Sequence, residues 1–101
     1  MSTVLVHRAG ATRVVEAVDP AWLAPDAPET VWVDVLAPTE SDRHLLHDVF
    51  HFHELAVEDA LLEVHHPKIE TYDGFHYLFL HGIESAKRQK GIVTHDVDFF
   101  L

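Results

Sequence analysis

The amino-acid sequence predicts an α+β fold in which a mixed, mostly antiparallel sheet carries two or three helices. Strand-like runs outnumber helical ones, both clear helices stand between strands, and tight-turn signals join neighbouring strands. At 101 residues the chain is long enough for one domain at most, and a single domain over residues 1–101 is expected. A chain of this size buries about 60% of its unfolded surface or more, which is enough for one modest core.

The N-terminal part of the sequence has the pattern of two β-strands. Residues 3–7 and 12–18 are β-rich runs on either side of Gly10, and this pattern predicts a hairpin. Asp19 followed by Pro20 is typical of a helix start, because proline has a suitable φ and needs no amide hydrogen bond there.

Two further helices are predicted downstream. Residues 30–36 alternate β-branched and aromatic side chains and predict a strand, which Pro38 ends. Thr39 is placed to cap a first helix, since its hydroxyl can accept a hydrogen bond from a free backbone amide. A second helix is predicted over residues 54–64, because Pro67 forces an end soon afterwards. The predicted buried stripe of the first helix consists of apolar residues at helical spacing: Leu45, Leu46, Val49 and Phe50.

The remaining elements are strands. Residues 68–72 and 75–83 flank an Asp-Gly pair, which is a strong hairpin signal because glycine tolerates the positive φ of a tight turn. The return strand is apolar on both faces, which predicts a central position in the sheet. His76 and His81 within it are predicted to be hydrogen-bonded core residues. A last strand is predicted over residues 92–101.

Composition excludes several functional classes. Asp and Glu number 17 against 7 Lys and Arg, a formal net charge of −10 with His neutral, so binding to nucleic acid through a general basic surface is not expected. The absence of Cys excludes disulfides and thiolate metal sites. The sequence shows neither a targeting segment nor a run of about 18 apolar residues that could cross a membrane. Divalent cations are the natural partners of such a surface, and protonation of the ten His should weaken its negative field as the pH falls.

A combination of short segments indicates a family. The segments are Trp32-Val33-Asp34-Val35, Pro38-Thr39-Glu40, His53 through Leu62, His66-Pro67-Lys68-Ile69-Glu70 with Tyr72-Asp73, and Val97-Asp98-Phe99-Phe100-Leu101. Over residues 32–101 the combination resembles the cytosolic domain of CorA-like magnesium and cobalt transporters. The resemblance implies a regulatory domain of a divalent-cation (Mg²⁺ or Co²⁺) transporter and not an enzyme. Two positions depart from the family pattern: Glu54 stands where Pro is usual, and His66 where Arg is frequent.

The parts of the family that carry transport lie outside this sequence. The long stalk helix, the two membrane helices and the Gly-Met-Asn pore motif are not in it. The sequence also stops within the apolar run that ends at Leu101, so an incomplete domain, truncated at its C-terminus, is expected. By resemblance, the full-length protein is a homo-oligomer, a pentamer, whose domain lies on the cytoplasmic side of the cell membrane. The fragment itself is expected to be soluble and to reach a membrane only through the missing helices.

The second predicted helix carries the candidate regulatory site. By resemblance, Asp59 is half of an inter-subunit Mg²⁺ site whose other carboxylate lies on the stalk. From spacing alone, Glu54 with Glu58 and Asp59 with Glu63 are like-charged pairs four residues apart, and a hard cation would relieve their repulsion. A solvated acidic face is the plainer alternative. The predicted metal ligands are Asp59, Glu58 and Glu63, with no tightly bound metal expected in the fragment.

Histidines on the first predicted helix form an alternative candidate metal site. His44, His47, Asp48 and His51 share its polar face, and His47 and His51 have the spacing of a helical zinc pair. These residues would make the chain a soluble His-rich metal-binding module, or simply an exposed polar surface. A small metal-dependent hydrolase is a further alternative, but the sequence contains no nucleophile elbow and no Gly-rich phosphate loop.

Overall fold

A computed structural model describes residues 1–62, 66–85 and 92–101 and confirms the α+β class. The chain divides into two compact units, Met1–His51 and Phe52–Leu101. Each unit contains one sheet of three strands, and every strand pairing is antiparallel. Three of the four strand pairings among the described residues join consecutive strands, for which closing the loop costs little chain entropy, and the fourth joins residues 2–7 to residues 30–35.

The first unit is built around a central strand. Strands β1 (Ser2–Arg8), β2 (Ala11–Val15) and β3 (Thr30–Val35) are arranged in the order β2-β1-β3. The predicted hairpin is therefore confirmed. Val4 and Val6 point to the same face of β1 and are its buried residues. The β1–β2 turn places Ala9 at φ 51° and Gly10 at φ 78°, and positive φ at both central residues defines a type I′ turn.

Replacing Ala9 with asparagine should stabilise the first unit. An L-residue with a Cβ atom costs about 1–2 kcal/mol in the left-handed region, whereas asparagine before glycine suits a type I′ turn, so we expect a gain of roughly 0.5–1 kcal/mol. Urea unfolding followed by tryptophan fluorescence would measure it, since Trp22 and Trp32 both lie in this unit. Ala11→Asn, two residues later in β2, is the control and should be slightly destabilising. Equal effects of the two changes would contradict the turn geometry.

The predicted helices of the first unit are shorter than expected. The start signal at Asp19 produces only a 3₁₀ turn, Pro20–Leu23, in which the Asp19 carboxylate accepts a hydrogen bond from the amide of Ala21 at 2.9 Å. Helix α1 (Glu40–His44) is followed by a π-helical turn, Leu45–Val49. The predicted buried stripe is only half-buried in this irregular segment.

The start of α1 depends on a buried carboxylate. Asp42 accepts hydrogen bonds from the Thr39 amide at 2.8 Å and the Thr39 hydroxyl at 3.0 Å, and its Oδ2 lies 3.3 Å from the Met1 ammonium. Burial alone would raise the pKa of Asp42, but these donors outweigh burial and hold the pKa below its usual value. The predicted cap at Thr39 is confirmed, since Thr39 and Asp42 form a capping box, and the threonine hydroxyl also donates to the carboxylate.

The second unit has one helix above three strands. Helix α2 (Glu54–Leu61) precedes β4 (Lys68–Tyr72), β5 (Phe75–Ser85) and β6 (Ile92–Phe100), which are arranged in the order β4-β5-β6. The central position of β5 and the tight turn, with Gly74 at φ 86°, are as predicted. Among the described residues of the unit, Ala56, Phe75, Tyr77 and Phe79 form one buried cluster.

The face of β5 opposite the core is largely exposed, although the strand has the predicted central position. His76 is exposed, and Leu80 retains 43% of its accessible surface. Cross-strand neighbours continue this face onto β4, where Ile69 pairs with Leu78 and is exposed. Strand alternation explains the result, because side chains of odd and even residues point to opposite faces.

Candidate functional site

Helix α2 carries two of the three candidate metal ligands, Glu58 and Asp59. Its first turn is capped by His53, whose Nδ1 accepts a hydrogen bond from the amide of Leu55 at 3.1 Å. Ala56 and Val57 are buried and Glu58 is exposed, so the helix has a buried side and a solvent side. Asp59 lies at the border between them and is half-buried. The helix ends at Leu61, earlier than predicted.

Asp59 is engaged by a lysine from the neighbouring strand. Lys68 is the first residue of β4, and its Nζ lies 2.7 Å from Asp59 Oδ2. The Asp59 and Lys68 side chains retain 32% and 31% of their accessible surface, so the ion pair is partly open to water. Such a pair contributes at most about 1 kcal/mol to stability.

The network continues along β4. Lys68 Nζ also lies 2.7 Å from Glu70 Oε1, and the Tyr72 hydroxyl donates to Glu70 Oε2 at 2.6 Å. Hydrogen bonds to Asp59 and Glu70 raise the pKa of Lys68, and the bond from Lys68 lowers that of Glu70. The hydrogen bond to Glu70 raises the pKa of Tyr72 to about 12. Lys68, Glu70 and Tyr72 alternate along the strand and therefore share one face.

A second polar contact lies inside the same unit. The hydroxyl of Tyr77, which is fully buried, donates to Asp98 of β6. Burial raises the pKa of Tyr77, and the hydrogen bond to Asp98 adds to the effect. Burial also raises the pKa of Asp98, against the opposing effect of the Tyr77 hydroxyl, and the charges of Asp96 and Asp59 raise it further.

The structure brings only one of the predicted ligands into this network. Asp59 belongs to it, Glu58 is exposed on the solvent side of the helix, and Glu63 lies outside the described residues. Within residues 1–62, 66–85 and 92–101, no three His, Asp or Glu side chains are grouped so that they could hold a metal ion. Glu58 and Glu63 stay predictions as ligands.

The predicted helical face of histidines does not form as expected. The α-helix ends at His44, and His51 follows the π-helical turn at φ 57°, so the assumed helical spacing of His47 and His51 is wrong. Instead, Asp48 binds two histidines: its Oδ1 lies 2.8 Å from His47 Nδ1, and its Oδ2 contacts His44 Nδ1. The hydrogen bond with His47 is the main cause of a lowered Asp48 pKa.

The strand histidines also differ from their prediction. His76 is exposed and pairs its Nδ1 with the Thr71 hydroxyl at 3.1 Å, so it is hydrogen-bonded but not a core residue. His81 is half-buried, with its Nδ1 3.3 Å from Asp96 Oδ1 and its ring against the edge of Phe79. That contact lacks hydrogen-bond geometry, and Nδ1 has no other partner in the described part of the chain.

Comparison with known proteins identifies the family. A family model described as "CorA-like Mg2+ transporter protein" matches residues 28–101. The chain belongs to the CorA-like Mg²⁺ transporter family. This CorA-like chain is also similar to "Putative metal ion transporter YfjQ" of Bacillus subtilis (strain 168), with 38% identity over 69 residues. That alignment covers 68% of this chain and 20% of the relative, so the chain spans about a fifth of the relative's length.

The CorA-like region contains every member of the polar network. Asp59, Lys68, Glu70 and Tyr72 all lie within the matched residues 28–101, as does the separate pair of Tyr77 and Asp98. In the portion of the chain that the structure describes, no helix has both the length and the apolar character needed to cross a membrane.

Proposed function

We propose that this chain is the cytosolic regulatory domain of a CorA-like divalent-cation transporter and that Asp59 senses Mg²⁺ or Co²⁺ at a boundary between subunits. The supporting observation is the state of the Asp59 carboxylate within the family-matched region. Its Oδ2 is bound by Lys68, and its Oδ1 has no hydrogen-bond or ion-pair partner among the residues the structure describes. A partly exposed carboxylate oxygen without a protein partner is a suitable ligand for a hard cation.

One carboxylate is insufficient for a stable site. Mg²⁺ requires six oxygen ligands and usually keeps several waters, so Asp59 needs water molecules and a second carboxylate. We place that second carboxylate on another subunit of a homo-oligomer. The cation would then stabilise the arrangement in which the two carboxylates meet, and loss of the cation would shift the population away from it. Sensing thus follows from the difference in metal affinity between the two arrangements.

Asp59→Asn should abolish this response while leaving the fold intact. The amide keeps the shape of the side chain but removes the charge, so the affinity for Mg²⁺ should fall about tenfold or more. Millimolar Mg²⁺ titrations followed by the NMR shifts of the α2 amides would measure it. Asp26→Asn removes the same charge from an exposed loop of the first unit and should leave binding unchanged. Wild-type affinity in Asp59→Asn would refute the role of Asp59.

A further inference from the structure

We propose that Lys68 is a built-in competitor for metal at Asp59. Its ammonium group occupies the Asp59 carboxylate when divalent cations are scarce and withdraws onto Glu70 when one binds. The inference rests on the proposed function and goes beyond it, because it names the residue that sets the metal concentration at which the site responds.

The geometry makes the two cations mutually exclusive at one oxygen. Lys68 Nζ lies 2.7 Å from Asp59 Oδ2. Mg²⁺ binds carboxylate oxygen at about 2.0–2.1 Å, so on the same oxygen the two centres would be no more than about 5 Å apart. Like charges at that distance repel strongly in a partly buried site. A metal that binds through Oδ2, or through both oxygens of the carboxylate, therefore displaces Lys68, and a metal that enters at Oδ1 is repelled by the ammonium on the other oxygen of the same carboxylate.

Glu70 can hold the Lys68 ammonium after a metal has displaced it from Asp59. Glu70 Oε1 already lies 2.7 Å from its Nζ, and the Tyr72 hydroxyl holds the other oxygen of that carboxylate. The ammonium also lies 5.8 Å from the centre of the Tyr77 ring, a distance at which a cation is attracted by an aromatic face. Displacement therefore exchanges two carboxylate contacts for one and does not leave the ammonium unpaired.

This arrangement predicts opposite effects for two substitutions in the same network. Lys68→Met removes the competitor and should tighten Mg²⁺ binding about threefold or more, the size expected from loss of a partly exposed ion pair. Among the residues that the structure describes, Glu70→Gln leaves Lys68 with Asp59 as its only carboxylate partner, so this change should weaken Mg²⁺ binding. Lys68→Arg keeps a competing cation and should stay close to wild type or bind more weakly.

The experiment is a Mg²⁺ titration of these variants, followed by the NMR shifts of the α2 amides. Two controls remove the same charges elsewhere: Lys87→Met for the lysine and Glu84→Gln for the glutamate. If these controls match Lys68→Met and Glu70→Gln, the effects come from net charge, and the inference is overturned. A purely structural role for Lys68 would weaken binding in both network variants, and that result would overturn it as well.

Asp59→Asn in the same series separates the two proposals. If Asp59→Asn loses binding and Lys68→Met binds like the wild type, the sensing role stands and the competitor role falls. If Asp59→Asn binds like the wild type, both fall. Should Lys68→Met fail to fold, Glu70→Gln decides the question, since unchanged or tighter binding in that variant would contradict competition.

Discussion

Phe79→Ala should destabilise the second unit by about 3–5 kcal/mol, the usual cost of removing a buried aromatic side chain and leaving a cavity. Phe79 is fully buried on β5, in one cluster with Ala56, Phe75 and Tyr77. A small unit has few other apolar contacts with which to compensate. Residue-specific NMR signals followed through a urea titration would measure the loss separately in each unit.

Leu80→Ala is the matched control. Leu80 is the next residue on the same strand but lies on the exposed face, where 43% of its surface is accessible. Its truncation should cost less than about 1 kcal/mol. If Phe79→Ala leaves no folded protein, Phe79→Leu should still fold with a smaller loss. Similar costs for Phe79→Leu and Leu80→Ala would contradict the one-sided burial of β5.

Tyr77→Phe should destabilise the second unit by about 1–3 kcal/mol at neutral pH, because the half-buried Asp98 carboxylate loses its donor. Asp98→Asn keeps an oxygen that can accept from Tyr77 and removes the buried charge, so it should be tolerated or stabilising. In the Asp98→Asn background, Tyr77→Phe should cost less than it does alone. Equal costs in both backgrounds would show that the two side chains are not coupled.

The pH dependence of Asp98→Asn has a definite sign. Burial, with the charges of Asp96 and Asp59, raises the pKa of Asp98 in the folded protein above its ordinary value of 3.8. The folded state therefore binds the proton more tightly than the unfolded chain, which favours folding at low pH, and this contribution is lost as the pH rises through the folded pKa. Asp98→Asn cannot titrate, so its stability relative to wild type should increase as the pH rises above 3.8. Urea unfolding at a series of pH values would measure the free energy of unfolding of both proteins. If Asp98→Asn became less stable relative to wild type as the pH rises, this assignment would be contradicted.

Local patterns predicted most of the second unit. The Asp-Gly pair before Phe75 indicated the tight turn, which depends on neighbouring residues only, and the apolar character of both faces of β5 indicated its central position. The division of the strands into two sheets was not predicted. Which hairpins join into one sheet depends on contacts between distant residues, and a single sequence does not display them.

The candidate site was predicted only in part. Family resemblance singled out Asp59, but its pairing with Lys68 depends on how α2 lies against β4, which no local pattern encodes. The alternation of Lys68, Glu70 and Tyr72 was a readable signal that these side chains share a face. The prediction of a zinc pair at His47 and His51 assumed a regular α-helix. The structure has a π-helical turn there, and His51 lies in the left-handed region of backbone conformation, so the assumption does not hold.

The pairing of β3 with β1 has a practical consequence for exchanging this region between relatives. The family match begins at residue 28, so β3 falls inside it while its hydrogen-bonded neighbour β1 falls outside. A chimera joined at residue 28 would transplant a strand without the partner that satisfies its backbone amides and carbonyls. The break between the two compact units, after His51, is the better junction, because none of the strand pairings that the structure describes crosses it. Recombination points in this chain should follow hydrogen bonding and not the limits of sequence similarity.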